Sequence, residues 1–237
     1  MKEELNQIIE EIQMETDEKK LKTLHEKKAT LLEAIKPSTK ERIIFFDESE
    51  VTFVPTGFTN IEAINEALKT VPVSVERRSI LEYNMMQRHP IPYVIVKHKN
   101  KYFFIIREGN SGEIRLIGKM GMLGGHVGEE DIQLTNNKIE LFKTIENGLY
   151  RELMEEAGIS SEMIESISLE GLIKLSGGVE DDHLGFVYMV ELHTDDIQSQ
   201  EEGVIKGLWV EKEDLPSIKD KLENWSQVVY TEILQKK

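Results

Sequence analysis

The sequence predicts an α+β fold: strand-rich segments around one long glutamate-bearing helix, with a helical region before them and a closing helix after. Three observations predict it. Phe142, Ile145, Leu149 and Leu153 recur at helical spacing and fall within an arc of roughly 80°. Apolar, β-branched and aromatic runs occur at Pro90–Val96, Tyr102–Ile106, Ile167–Leu175 and Leu184–Leu192. The first 36 residues carry apolar stripes of helical period, Leu5, Ile8, Ile9 and Ile12, then Leu21, Leu24, Leu31, Leu32 and Ile35.

In chain order, residues 1–36 read as one long helix or a helical hairpin, because the stripe slips phase at Thr16-Asp17, where Asp17 is a candidate N-cap. Lys36-Pro37-Ser38 ends it. The two uses of such an arm are homodimerisation or partner binding, against simple packing on its own domain. Residues 37–84 read as a small α/β segment packed on the main domain, with strands at Ile43–Phe46 and Val51–Val54 and a short helix from an Asn60 cap to Leu68. The main domain is expected over 85–237. It opens with the plainest hairpin in the chain, turning at Lys97–Lys101, and continues to Gly124-Gly125, a pair that admits close backbone approach. Asn137 is the expected N-cap of the glutamate helix, with Glu140 at its third position. A strand at Gly203–Val210 and a helix through Trp225–Leu234 complete the chain.

Composition narrows the function. A chain of 237 residues holds one good-sized domain and an appendage. There is no apolar run near membrane-spanning length and the N-terminus is charged, so a cytoplasmic protein without a membrane partner is expected. The absence of cysteine excludes disulfides, thiolate metal sites and cysteine nucleophiles. A formal charge of −15 opposes binding to nucleic acid, while leaving open a small polyphosphate that arrives with its cations.

The chemistry concentrates at the end of the long helix. Glu152 and Glu156 stand one turn apart, Glu155 lies beside them, and Glu156 projects into the apolar sector. Crowded carboxylates, one of them driven toward a core, are costly unless paired or holding a cation, and hard oxygen ligands suit Mg²⁺ or Mn²⁺. Arg151 is one turn before Glu155 and can fix its rotamer. Gly158 is placed to end the helix and fold Ile159 back on the core. Arg107 and Arg115 are candidate phosphate contacts, against ordinary ion pairing. His126 is a candidate phosphate donor or acid–base group, although a structural role is favoured because no second histidine or cysteine stands beside it at ligand spacing.

The run Arg151-Glu152-Leu153-Met154-Glu155-Glu156-Ala157-Gly158-Ile159 resembles the second half of the Nudix box, G-x5-E-x7-R-E-U-x-E-E-x-G-U with U apolar, at all of its specified positions. The first half does not fit: Lys143 and Asn137 stand where the box has Glu and Gly. Gly125, in Leu123-Gly124-Gly125-His126, looks like the box glycine displaced by about a dozen inserted residues. Glu130, Asp131, Glu140 and Glu146 are the candidates for the missing glutamate.

The resemblance implies a Nudix α/β/α sandwich with an N-terminal helical extension, and metal-dependent hydrolysis of a nucleoside diphosphate linked to another moiety. It implies metal ligation by Glu152, Glu155, Glu156 and the Gly125 carbonyl. Glu152, Glu155 or a loop carboxylate, Glu201 or Glu202, would act as general base, with Arg151 orienting the glutamates. A Nudix-type isomerase of isopentenyl diphosphate would be expected to use a cysteine, which this chain lacks. A non-catalytic Nudix module that senses a nucleotide remains as the alternative, since fold does not fix function. An unrelated acidic interaction protein is the third.

Overall fold

The computed structural model describes residues 1–107, 118–176, 181–197 and 205–236. The N-terminal region is a pair of helices, α1 (Lys2–Met14) and α2 (Glu18–Ile35). Asp17 makes the break, its Oδ1 accepting the Lys20 N–H at 2.9 Å. Leu5 and Ile8 of α1 and Lys28, Ala29 and Leu32 of α2 are buried.

Strand β1 (Arg42–Asp47) follows. The strand expected at Val51–Val54 does not form. Glu48–Val51 is a 3₁₀ turn, and the Val54 N–H bonds to the Val51 carbonyl at 3.1 Å. Both valines are buried, at the i, i+3 spacing of a helical turn, so their β-branched character expresses burial and not extension. Next come β2 (Gly57–Asn60), α3 (Asn65–Leu68), β3 (Ser74–Arg77) and α4 (Arg78–Leu81). The Asn60 side chain accepts the Glu62 N–H, capping a 3₁₀ turn that precedes α3.

The expected hairpin is β4 (Gln87–His98) and β5 (Lys101–Arg107), turning at Lys99 with φ 53°. Short strands β6 (Met120–Gly121) and β7 (Leu123–Gly124) pair with β5 and β4. A two-stranded ribbon, β8 (Leu134–Thr135) and β9 (Lys138–Ile139), turns through Asn136 and Asn137 at φ 53° and 59°. Paired positive-φ residues are what a tight hairpin turn requires, and asparagine tolerates them. Asn137 is therefore a turn residue and not a helix cap. Helix α5 (Leu141–Ala157) starts after Glu140. It ends where expected: Gly158 takes φ 64°, and the Gly158 and Ile159 N–H groups bond to the Met154 and Leu153 carbonyls.

Strands β10 (Ile164–Lys174), β11 (His183–Leu192) and β12 (Ile205–Glu211) precede α6 (Leu215–Ile218) and α7 (Asn224–Val229), which runs on through Leu234. The main sheet has the order β12-β5-β4-β11-β10-β2, with β4 and β11 parallel. Alternation along β4 separates the two helical layers. Val94 and Val96 join Ile145, Leu149 and Leu153 of α5, while Tyr93 and Ile95 join Trp225 and Val229 of α7. The result is an α/β/α sandwich with an N-terminal helical extension. Among the described residues no helix is long and apolar enough to cross a membrane.

Candidate active site

The apolar stripe of α5 locks the helix to the sheet and thereby fixes which way its next face points. That face meets the loop after β7. The Gly124 N–H donates to Glu156 Oε2 at 3.0 Å, and Glu156 is only 8% exposed. A Cβ built on Gly125 would lie 2.3 Å from the Glu152 carboxylate carbon, so the glycine is what lets the loop backbone lie against that carboxylate. Glu155, by contrast, is exposed.

Arg151 is the hub that organises these groups. Its Nη1 donates to Glu152 Oε1 at 2.8 Å and to Glu155 Oε2 at 3.0 Å, and its Nη2 donates to the His126 carbonyl at 2.7 Å. Its other edge grips Asp131 through two bonds, Nε to Oδ1 at 3.1 Å and Nη2 to Oδ2 at 2.9 Å. Asp131 is buried and also accepts the Gly128 N–H at 2.8 Å. Of the four carboxylates considered for the displaced box position, Asp131 is the one built into this network. Glu130 reaches Arg151 only at 3.8 Å, Glu146 pairs with Lys143, and Glu140 precedes α5.

Burial pushes the Glu152 carboxyl up to about 7; Arg151 opposes this, and the charges of Glu155 and Asp131 add to it. For Arg151, burial works against the charge, but the bonds to Asp131 and the field of Glu152 outweigh it and leave the guanidinium more firmly protonated than usual. A carboxylate held at this level beside two others is a site suited to a divalent cation. The donors on offer are carboxylate oxygens and loop carbonyls, the hard set that fits Mg²⁺ or Mn²⁺.

Arg107 ends β5, with its Nε 3.5 Å from Glu223 Oε2 and close enough to Glu156 to feel its charge. Glu223 is buried and accepts the Tyr93 hydroxyl at 2.8 Å. Arg115, Glu201 and Glu202 lie outside the described residues.

His126 has the neighbours that sequence spacing denied it. Its Nε2 lies 3.3 Å from His89 Nδ1 and 3.3 Å from His183 Nε2. Parallel pairing of β4 with β11 sets His89 directly opposite His183, and the glycine loop delivers His126 to both. No local spacing signals this, because the three residues come from distant parts of the chain.

The family model for the NUDIX domain matches residues 88–232, well over half of the chain. Protein YmaB of Bacillus subtilis (strain 168) is 31% identical over 158 residues, which cover 65% of this chain and 74% of that protein. The crystal structure of Tm1382, itself assigned to the Nudix hydrolases, superposes with a TM-score of 0.66 at 22% identity, covering 83% of this chain and all of that one. The glutamate helix and the sandwich thus have one common explanation: the chain belongs to the Nudix family.

Proposed function

We propose that the chain cleaves the diphosphate linkage of a nucleoside diphosphate joined to a second moiety, using cations held by Glu152, Glu155, Glu156 and the Gly125 carbonyl. The observation that carries this reading is the approach of Glu152 and Glu156 to the Gly124-Gly125 backbone, which gathers hard oxygen donors from helix and loop at one place. Mg²⁺ or Mn²⁺ bound there would neutralise the phosphates and make a bound water acidic enough to be activated near neutral pH.

The chain's own residues do the rest. Arg151 is a positioning residue: its fork is committed to Asp131, and its remaining N–H groups hold Glu152, Glu155 and the loop carbonyl in register. Glu155, exposed and bonded on one oxygen to Arg151, is suited to take the proton of the attacking water, with Glu152 or Glu202 as the other bases. Arg107, beside Glu156 and already desolvated, is suited to a phosphoryl oxygen when substrate displaces its contact with Glu223, and Arg115 is a second candidate for that task. The N-terminal helices are the segment through which we propose a homodimer, checked by comparing the sedimentation of the full chain with that of a chain lacking residues 1–36.

The test is product release from nucleoside diphosphate sugars, ADP-ribose, dinucleoside polyphosphates and nucleoside triphosphates, with Mg²⁺ or Mn²⁺ and with chelator. Metal-dependent cleavage of one class is expected. Glu156→Gln should abolish it while the circular dichroism spectrum stays unchanged, and normal turnover in that variant under saturating Mg²⁺ would remove Glu156 from the metal site. Thermal stabilisation by a ligand of the panel without cleavage would favour a nucleotide-sensing module instead.

A further inference from the structure

We propose that His89, His126 and His183 form a second metal site, separate from the glutamate cluster, that takes a late first-row divalent cation such as Zn²⁺. The geometry is the first ground. Zn–N bonds of about 2.0–2.1 Å at tetrahedral angles set ligand nitrogens about 3.3–3.4 Å apart. Here Nε2 of His126 lies 3.3 Å from Nδ1 of His89 and 3.3 Å from Nε2 of His183, and one nitrogen from each ring lies within 4.8 Å of the other two.

The outer contacts are the second ground. Nδ1 of His183 lies 2.8 Å from Asp182 Oδ1, and the other oxygen of Asp182 accepts the Tyr83 N–H at 2.8 Å. A carboxylate that holds one imidazole nitrogen fixes the tautomer and aims the other nitrogen's lone pair, the arrangement common behind histidine metal ligands. Protons alone serve the trio poorly. A single proton on His126 Nε2 bridges at most two of the three facing nitrogens, whereas a cation takes a lone pair from each.

Ligand softness separates the two sites. Three imidazoles favour zinc, cobalt, nickel or copper over magnesium, while the carboxylate site has the opposite preference. The rings come from β4, β11 and the loop that also carries Gly125, so a cation among them would pin that loop to the sheet. This inference does not depend on the hydrolase reading, because its probe is the metal itself.

The experiment strips the full chain with chelator, removes the chelator and titrates with Co²⁺, then with Zn²⁺. One equivalent of Co²⁺ should give the visible ligand-field band of a low-coordinate nitrogen site, Zn²⁺ should bleach it, and either ion should raise the thermal unfolding midpoint. His183→Ala and His126→Ala, each checked for folding by circular dichroism, should lose the band, and Asp182→Asn should weaken binding by about 10–100-fold. The band should survive in Glu152→Gln/Glu156→Gln. A chain with no band, or a band indifferent to both histidine substitutions, overturns the proposal and leaves the trio a hydrogen-bonded structural cluster.

Discussion

Two adjacent glycines in the loop after β7 do different jobs, and substitution should separate them. The methyl of Gly125→Ala would land on the Glu152 carboxylate, which Arg151 holds in place, so the cost falls on the position of a reacting group. We expect turnover to fall about a hundredfold with little change in unfolding temperature. The methyl of Gly124→Ala would instead meet the backbone carbonyl of Pro92 at 2.4 Å, and that strain should appear as lost stability. A second residue-scale prediction concerns Lys28, fully buried on α2. Its Nζ donates to the Ile80 and Glu82 carbonyls and lies 3.2 Å from His25 Nδ1, with the Glu82 and Asp182 charges nearby. Burial lowers its pKa from 10.5 to about 7, against the pull of those two carboxylates. Between these values the unfolded chain binds more protons than the folded one, so stability rises with pH across the window. The penalty of burying the ammonium is complete below about 7 and gone above about 10.5. Lys28→Met should remove this slope, so the stability difference from the parent, read by urea denaturation, should change between pH 7 and 10 in the parent's favour.

At the scale of elements, one carboxylate adds a charged clip to the strand pairing that joins the segment between the N-terminal helices and β4 to the sheet. Glu48 pairs with Arg88 of β4 and, at 2.6 Å, with Lys174 of β10, and Lys174 also donates to the Val51 carbonyl. Both cations are buried, so Glu48→Ala would take from each the carboxylate it pairs with here. A loss of about 3–5 kcal/mol is expected from denaturant unfolding, and Glu48→Gln should cost less because it keeps an acceptor. This clip shows where sequence reading stops. Helix α5 was legible because period, crowded carboxylates and a terminal glycine are all local signals, and the arms β4 and β5 because their apolar, β-branched and aromatic runs flank a short polar turn. Val51 and Val54 misled because β-branched residues mark burial as readily as extension. Asn137 misled because asparagine suits a positive-φ turn as well as a helix cap. Glu48 and the His89–His126–His183 cluster were hidden for a different reason: each depends on which strands become neighbours.

For the molecule as a whole, the −15 formal charge sets a condition on the proposed chemistry. A nucleoside diphosphate derivative is itself an anion, so its approach to this chain is opposed at long range even where Arg107 and bound cations attract it at contact. Screening acts unequally on the two parts. Raising ionic strength from about 0.01 M to 0.15 M shortens the Debye length from about 30 Å to about 8 Å, which removes most of the distant repulsion while contact distances of about 3 Å are little affected. The expected outcome is that kcat/KM, measured at fixed free Mg²⁺, rises several-fold over this range of added monovalent salt, with the gain in KM and little change in kcat. A fall would mean that local positive charge around the site outweighs the field of the rest of the chain. Repeating the titration with Arg107→Gln separates the two contributions. If the guanidinium supplies the short-range attraction, the variant loses affinity at every salt concentration yet keeps the upward slope.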